Sequence, residues 1–225
     1  EQGDDVKPTV TLVTLRLGDG VLRLNLSEIC DLTPADAYVN VSKMFLSNTD
    51  HATDKGTNNS IWLDGARVAN ESIWDLFAPT PLLSSDGLTH DTPDDAVLFI
   101  ELTEAQRARA VELSGNVPSG GDGDALVFDI EAEGFRDIAQ NKNAEQLGIS
   151  VTEIEDSTGP IMTSVAIDYG TTENKGYITV TASETLDATP AAKMDLTKLE
   201  IRETATVPAE DANLVVVLDG TASGT

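Results

Sequence analysis

The feature that most limits the fold of this chain is a phrase that occurs twice. Residues 22–46 and residues 178–201 each contain an alternating apolar strand, then Ser-Glu-x-x-Asp-x-Thr-Pro-Ala, then a second alternating strand with a lysine. The matching residues keep a nearly constant spacing: Ser27 and Ser183 are 156 positions apart, Pro34 and Pro190 are 156 apart, and Lys43 and Lys198 are 155 apart. Self-similarity at a fixed spacing is typical of tandem units, so two related domains are expected.

An Asp-x-x-x-Pro element, here called the opener, precedes the phrase in both copies, at residues 4–8 and 156–160. Further along, DAVLFIEL at 95–102 resembles DANLVVVL at 211–218 with a spacing of only 116. The shorter spacing predicts an insertion of about 40 residues in the first copy, around residues 49–92. We therefore expect a complete domain at 4–155 and the front part of a second domain at 156–225.

The hydrophobic pattern predicts an all-β fold. Apolar residues alternate with polar ones in both copies, at Leu22, Leu24 and Leu26 and again at Ile178, Val180 and Ala182. This is the period of a strand with one buried face, and short strands separated by Gly, Pro, Asp and Asn turns favour a β-sandwich. One helix is expected at residues 103–115, where Thr103 and Gln106 would form a capping box and Gly115 a stop.

Four motifs together resemble a known family. They are the opener, the Ser-Glu-x-x-Asp strand end of the phrase, the segment LTEAQR at 102–107, and RDIAQN at 136–141, here called the closer. Their types and order are similar to those of bacterial Ig-like repeats of the SwmB kind, which occur in tandem in very large cell-surface, adhesin and S-layer-type proteins. The family pattern has glycine where this closer has Gln140. The resemblance implies tandem Ig-like β-sandwich domains, the first with the insertion and one short helix, the second incomplete.

The same resemblance implies a non-enzymatic structural module of an extracellular, cell-surface repeat protein. Such a module would self-assemble into a surface layer, sheath, filament or adhesin stalk through sandwich edges and stiffened junctions. An incomplete sandwich exposes strand edges, so the expectation is that either the chain continues beyond residue 225 or a neighbouring subunit donates the missing strands. Two alternatives stay open: a capsid or surface protein of a halophilic or marine virus, and a carbohydrate-binding module that uses Trp62 and Trp74 of the insertion.

The charge balance bears on the choice of partner. The chain has 39 acidic and 14 basic residues, a formal net charge of −25. A surface of this charge repels nucleic acid and anionic lipid, so neither is an expected partner. No run of 18 apolar residues occurs, so membrane insertion is not expected either. High salt, or an extracellular medium with divalent cations, would offset the negative charge.

The acidic residues of the motifs predict calcium at the junctions between units, because Ca²⁺ takes about six to eight oxygen ligands. One predicted set joins a closer to the following opener and strand end: Asp137, Asn141, Asp156 and Glu184. A second set would meet a preceding domain: Asp4, Asp5 and Glu28. The alternative is that these residues form turns and cap strand ends.

Other polar motifs are less specific. Four N-x-[ST] sequons are glycosylation candidates if the chain is exported: Asn25, Asn40, Asn58 and Asn70. Asn25 is expected on the outward face of its strand. The run GGDGD at 120–124 lacks the spacing of known calcium loops and predicts a flexible hairpin loop.

Catalytic motifs are lacking. His51 and His90 are 39 positions apart, without metal-ligand spacing, and the chain has no nucleophile elbow, phosphate loop or zinc motif. Cys30 is the only cysteine and has Leu186 as its counterpart, so we expect an apolar core residue rather than a functional thiol. The tryptophans are expected either to stack on sugars or to pack the insertion onto its domain.

Overall fold

The computed structural model describes residues 3–48, 59–69, 94–170, 176–186, 195–202 and 215–217. The chain divides into two compact units, Glu1–Gly159 and Pro160–Thr225. The boundary lies four residues beyond the expected end of the first domain at 155. Strand is the commonest regular structure in the described residues, as the alternating pattern predicts.

In its described residues the first unit contains eight strands and two α-helices: β1 (Val10–Arg16), β2 (Val21–Cys30), α1 (Ala35–Tyr38), β3 (Met44–Ser47), β4 (Ser60–Trp62), β5 (Arg67–Ala69), β6 (Asp95–Glu101), α2 (Glu104–Leu113), β7 (Val127–Ile130) and β8 (Gln146–Ile154). The second unit contributes β9 (Met162–Asp168), β10 (Tyr177–Ala182), β11 (Glu200–Arg202) and β12 (Val215–Val217). Short 3₁₀ helices occupy Val41–Lys43, Val117–Ser119 and Leu196–Lys198.

The eight strands of the first unit form one sheet in the order β4-β3-β7-β8-β1-β2-β6-β5. All neighbours are antiparallel except β1 and β8, which run parallel with Val13 opposite Val151. The all-β class is thus confirmed, whereas the Ig-like sandwich stays a prediction. Strand β8, which follows the closer, therefore lies beside β1, the first strand of its own unit.

The core lies on one face of the curled sheet, where β1 and β2 place alternate residues inside. Leu22 and Leu24 are fully buried, as are Val13 and Leu15 from the neighbouring strand. Phe128 of β7 joins the same cluster. Each such side chain contributes roughly 1.5–3 kcal/mol on burial, so the alternating pattern accounts for most of the force that holds the first unit together.

The sequence repeat is also a structural repeat. In the first unit Val10 pairs with Leu26 and Leu12 with Asn25, so a bulge falls between them. The second unit has the same irregularity, because Met162 pairs with Ala182 and Ser164 with Thr181. Residues of β9 lie 152 positions after their counterparts in β1, and residues of β10 lie 156 positions after their counterparts in β2.

Side chains at the strand end repeat as well. The Ser27 hydroxyl accepts the Thr9 N–H at 3.0 Å, and the Ser183 hydroxyl accepts the Ile161 N–H at 2.9 Å. The serine of the phrase therefore has the same role in both copies, which is to tie the end of the second strand to the residue that precedes the first.

The second hairpin of the repeat corrects the expected insertion. In the first unit β3 pairs with β4, with Phe45 opposite Trp62. In the second unit β11 pairs with β12, with Glu200 opposite Val217. Each residue of this second pair lies 155 positions after its counterpart, which is the spacing already set by the two lysines. The pairing of 211–218 with 95–102 is therefore wrong, because β12 matches β4 rather than β6.

Residues 59–69, the described part of the supposed insertion at 49–92, consequently belong to the sheet. They supply β4 and β5, the two edge strands of the first unit. Residues 95–102 and 211–218 are similar in sequence because both are mainly apolar runs, and such runs resemble one another even where the strands are not equivalent.

Helix α2 confirms the predicted capping box. The Thr103 side chain accepts the Gln106 N–H, and the Gln106 side chain accepts the Thr103 N–H at 2.8 Å. The helix ends at Leu113, one residue before its C-cap and two before Gly115. The GGDGD run then connects the 3₁₀ helix Val117–Ser119 to β7, so it joins a helix to a strand, and the expected hairpin loop is wrong.

Within the residues that the structure covers, no helix is long and apolar enough to cross a bilayer.

Candidate functional site

The opener, the phrase and the closer of the first unit meet at one place, which we call the motif cluster: Asp4, Glu28, Asp31, Arg136, Asp137 and Asn141. The meeting follows from the topology. The β1–β2 hairpin brings the opener beside the end of β2, and an isolated bridge joins Cys30 to Asp137. Motifs that are more than a hundred residues apart in sequence are thereby brought into contact.

Three carboxylates form the acidic part of the motif cluster. Asp4, Glu28 and Asp137 each offer an oxygen, and these oxygens lie within 4.8 Å of one another. Asp4 is exposed, Glu28 is half-buried and Asp137 is buried, with 1% of its surface exposed. Buried charges of one sign repel one another unless a counter-charge is present, so this arrangement favours the approach of a cation.

Asn141 organises these carboxylates. Its side-chain amide donates to Asp137 Oδ2 at 2.8 Å and to the Asp4 carbonyl at 2.9 Å. Its backbone N–H donates to Asp137 Oδ1 at 2.8 Å. Both oxygens of Asp137 thus accept hydrogen bonds from Asn141, which fixes that carboxylate and holds the Asp4 backbone beside it.

The turn between these two residues has a backbone conformation that glycine would suit. Gln140 has a φ of 73°, in the left-handed region that favours glycine. Its N–H donates to the Asp137 carbonyl at 3.1 Å and closes the turn. The closer is therefore a conformational motif, built to present Asp137 and Asn141 on one side of a tight turn.

An ion pair completes the motif cluster, and the sequence reasoning did not find it. Arg136 donates to Asp31 Oδ2 through Nε at 2.9 Å and through Nη2 at 2.6 Å. The guanidinium also lies 3.7 Å from the centre of the Tyr38 ring. The sequence offered one signal for this ion pair: Asp31 in the phrase and Arg136 in the closer carry opposite charges.

The acidic cluster shifts two titrations. Burial raises the pKa of Glu28, and the charges of Asp137 and Asp4 raise it further. Burial, followed by the charges of Glu28 and Asp137, raises the pKa of Cys30 to about 12. The thiol is therefore neutral near pH 7 and fully buried in the core, so the prediction of an apolar core cysteine is confirmed.

The structure does not bring Asp156 to this site. Asp156 follows β8, which runs parallel to β1, so it lies at the far end of the sheet from the opener. There its carboxylate lies 3.5 Å from Arg107 Nη1, and its N–H donates to Ser119 Oγ at 3.0 Å. The expected meeting of the closer with the following opener is wrong, because the closer instead meets the opener of its own unit.

The remaining candidates have separate places. Asp5 is exposed, and within the described part of the chain it does not join the acidic group. Glu184 lies in the second unit, directly after β10, where it is the counterpart of Glu28.

Two of the four sequons lie in described residues. Asn25 lies on the face of β2 opposite to that of the buried Leu24 and Leu26, as expected, but it is half-buried and its Oδ1 is shielded. Asn40 is exposed, and its side chain accepts from the Ser42 N–H at 3.2 Å to cap a 3₁₀ helix. Asn58, Asn70, Trp74, His51 and His90 lie outside the described residues.

Trp62 packs inward. Its ring centre lies 5.3 Å from that of Phe45, which is buried, and its carbonyl accepts from Gln106 Nε2 at 2.7 Å. Of the two expected roles for this tryptophan, these contacts favour packing over sugar stacking.

Comparison of the chain with protein-family models, curated proteins and solved structures found no match.

Proposed function

We propose that the protein is a non-enzymatic structural module of an extracellular repeat protein, made of Ig-like β-sandwich units in tandem. It self-assembles into a surface layer, sheath, filament or adhesin stalk at the cell surface. One observation carries this proposal: the second unit repeats the bulge, the register and the serine hydrogen bond of the first. Repetition at this level favours a building block over a single catalytic domain.

The motif cluster supports a mechanical role. The opener is the segment by which a unit is entered, and the closer is the segment near its exit. Asn141 joins the opener to the closer, and the Asp31–Arg136 ion pair joins the closer to the residue after β2, so a force that pulls the opener away from the unit acts on these contacts. A latch of this kind resists extension of the unit.

Imaging tests the assembly role. The full chain should form sheets or filaments in electron micrographs as its concentration rises in native salt, and its mass by light scattering should rise with concentration. A chain that stays monomeric under all these conditions would contradict the proposal. Icosahedral shells would instead support the virion alternative.

We further propose that Ca²⁺ binds at the motif cluster, with Asp4, Glu28 and Asp137 as its protein ligands. Three carboxylates with oxygens within 4.8 Å of one another suit a hard divalent cation. Asn141 holds the Asp137 carboxylate and the Asp4 backbone in place and is not needed as a ligand. The cation would lower the electrostatic cost of crowding these acids together.

A matched pair of variants tests the calcium proposal. Ca²⁺ at a hundredfold excess over its Kd should stabilise the chain by about 2.7 kcal/mol, measured by thermal unfolding against a chelator. Glu28→Gln should abolish this increase, whereas Glu184→Gln, its counterpart, should leave it intact. An equal increase with sodium chloride of the same ionic strength would show screening alone and would sink the calcium site.

A further inference from the structure

The second unit exposes an apolar surface that the first unit covers. On β9, Met162, Val165 and Ile167 are 52%, 49% and 41% exposed. Their counterparts on β1, 152 positions earlier, are Val10, Val13 and Leu15, which are 5%, 0% and 0% exposed. The side chains are of similar type and lie on strands of the same register, so the difference lies in what packs against them.

The first unit shows what covers this strand. The edge of β1 that faces away from β2 is occupied by β8, which runs parallel to it with Val13 opposite Val151 and Arg16 opposite Ile154. Beyond the ladder, the Leu17 N–H donates to the Ile154 carbonyl at 2.9 Å. One edge of β1 is thus completed by a strand from the end of the same unit.

Gln146 fixes the start of that strand. Its side-chain oxygen accepts the Val10 N–H at 2.7 Å, and its side-chain nitrogen donates to the Val10 carbonyl at 3.2 Å. A glutamine side chain that pairs with both the N–H and the C=O of one residue fixes where β8 begins relative to β1. The counterpart of Val10 in the second unit is Met162.

Within the described residues, β9 pairs with β10 alone. The β9–β10 hairpin has the bulge and the serine hydrogen bond of the β1–β2 hairpin, so the backbone of β9 has the shape that β8 recognises on β1. An edge strand with an exposed apolar face is a site for strand addition.

We propose that the free edge of β9 binds, in parallel, an extended strand of the β8 type donated by a neighbouring protein subunit. The donated strand has a glutamine at its start, which brackets Met162, and β-branched apolar residues three and five positions later, the second of which lies opposite Val165. This inference rests on the proposed assembly function and names the contact through which units join. In the first unit the corresponding positions of β8 are Gln146, Ile149 and Val151.

A synthetic peptide tests this directly. A fluorescent peptide with the sequence of residues 144–156 should bind the full chain saturably, measured by anisotropy. Replacing Gln146 by Ala in the peptide removes two hydrogen bonds and should weaken binding about tenfold. A peptide of scrambled sequence should not bind.

Variants of the chain locate the binding. Ile167→Asp places a charge on the covered face and should abolish binding, whereas Thr179→Asp, on an exposed position of β10, should not. Binding unchanged by Ile167→Asp would mean that the peptide lies elsewhere, for example by displacing β8 in the first unit, and would overturn the inference. The Gln146→Ala peptide keeps the test decisive if Ile167→Asp disturbs folding.

Disulfide trapping tests the direction. If the peptide pairs with β9 in the parallel register that β8 has with β1, a Thr152→Cys peptide places its cysteine opposite Ala166→Cys. If the peptide runs antiparallel, with its residue 150 opposite Ser164, the same cysteine lies opposite Met162→Cys. Opposed residues on paired strands are close enough for a disulfide. Cys30 is buried and will not compete. Cross-linking through Ala166→Cys is expected, and cross-linking through Met162→Cys would overturn the parallel arrangement.

The outcomes separate this inference from the proposed function. Peptide binding by a chain that never assembles would support strand docking and reject the assembly role. Assembly that the peptide neither binds nor inhibits would keep the assembly role and reject strand docking. A disulfide between two Ala166→Cys chains without peptide would show β9 pairing with a second copy and would also reject it.

Discussion

The β1–β2 and β9–β10 hairpins have the same backbone and opposite burial. Each has a bulge at the same position and a serine hydroxyl that ties its second strand to the residue before its first. In the first hairpin Leu22 and Leu24 are fully buried, whereas every residue of β9 is exposed. The comparison teaches that local sequence is enough to build the hairpin, and that its burial depends on strands supplied from elsewhere.

The largest expected difference between the hairpins is in their response to truncation. Leu22→Ala should lower the free energy of unfolding by about 2–5 kcal/mol, because it opens a cavity in a packed core. Ile178→Ala, its counterpart in β10, should cost less than about 1 kcal/mol, because that side chain is only half-buried. Urea unfolding of the two variants measures both. Equal losses would show that the second hairpin is as well covered as the first.

The ion pair of the motif cluster gives the next effect. Asp31→Asn should destabilise the first unit by about 1–3 kcal/mol, because two charge-assisted hydrogen bonds from Arg136 are weakened at a half-buried site. Asp5→Asn is the control: Asp5 is exposed and does not join the acidic group in the described part of the chain, so this substitution should cost less than about 0.5 kcal/mol. Hydrogen exchange at the end of β2 would report the loss, and equal effects of the two substitutions would contradict the role of Arg136.

A substitution in the turn of the closer segment should stabilise the first unit rather than destabilise it. Gln140→Gly should stabilise the first unit by up to about 1 kcal/mol, because glycine relieves the left-handed strain at φ 73° at the cost of a more flexible unfolded chain. The Tm of the variant measures this. Gln140→Ala is the control, because it shortens the side chain without relieving the backbone, and should not stabilise. A Tm lowered by glycine would show that the side chain, not the turn, governs this position.

The smallest expected effect concerns the charge of Glu28. Without divalent cations, Glu28→Gln should stabilise the chain at pH 7 by a few tenths of a kcal/mol, because it removes repulsion from Asp4 and Asp137. Glu28 has a raised pKa in the folded state, so its unfavourable contribution is present above that pKa and disappears as the pH falls through it towards the ordinary value. The advantage of the variant over the native chain should therefore shrink on acidification.

Unfolding curves from pH 7 to pH 4 would follow this difference. Glu184→Gln serves as the comparison, because Glu184 is the counterpart of Glu28 in the other copy of the phrase. An advantage of Glu28→Gln that grows as the pH falls would show that Glu28 makes a favourable contact instead.

The motifs were visible in the sequence, but their partners were not. The opener, the phrase and the closer could each be recognised, and the acids within them marked the candidate site. The two predicted sets of calcium ligands nevertheless do not match the groups that the structure forms. Asp137 joins Asp4 and Glu28, while Asp156 lies beside Arg107 at the other end of the sheet. The order of motifs along a chain does not say which of them share an edge, since that depends on whether the closing strand runs parallel or antiparallel to the first.

What the sequence determined by itself was the local structure: two copies of one hairpin, the strand ends tied by Ser27 and Ser183, and a helix that begins at a capping box. These features depend on contacts within a few residues or across a tight turn, so the local amino-acid sequence specifies them. The tertiary structure decided which strands became neighbours. It placed β8 beside β1, assembled the motif cluster from a single unit, and matched β12 with β4 rather than with β6. Pairing between distant strands depends on the whole set of competing edges, and that set exists only once the sheet has formed.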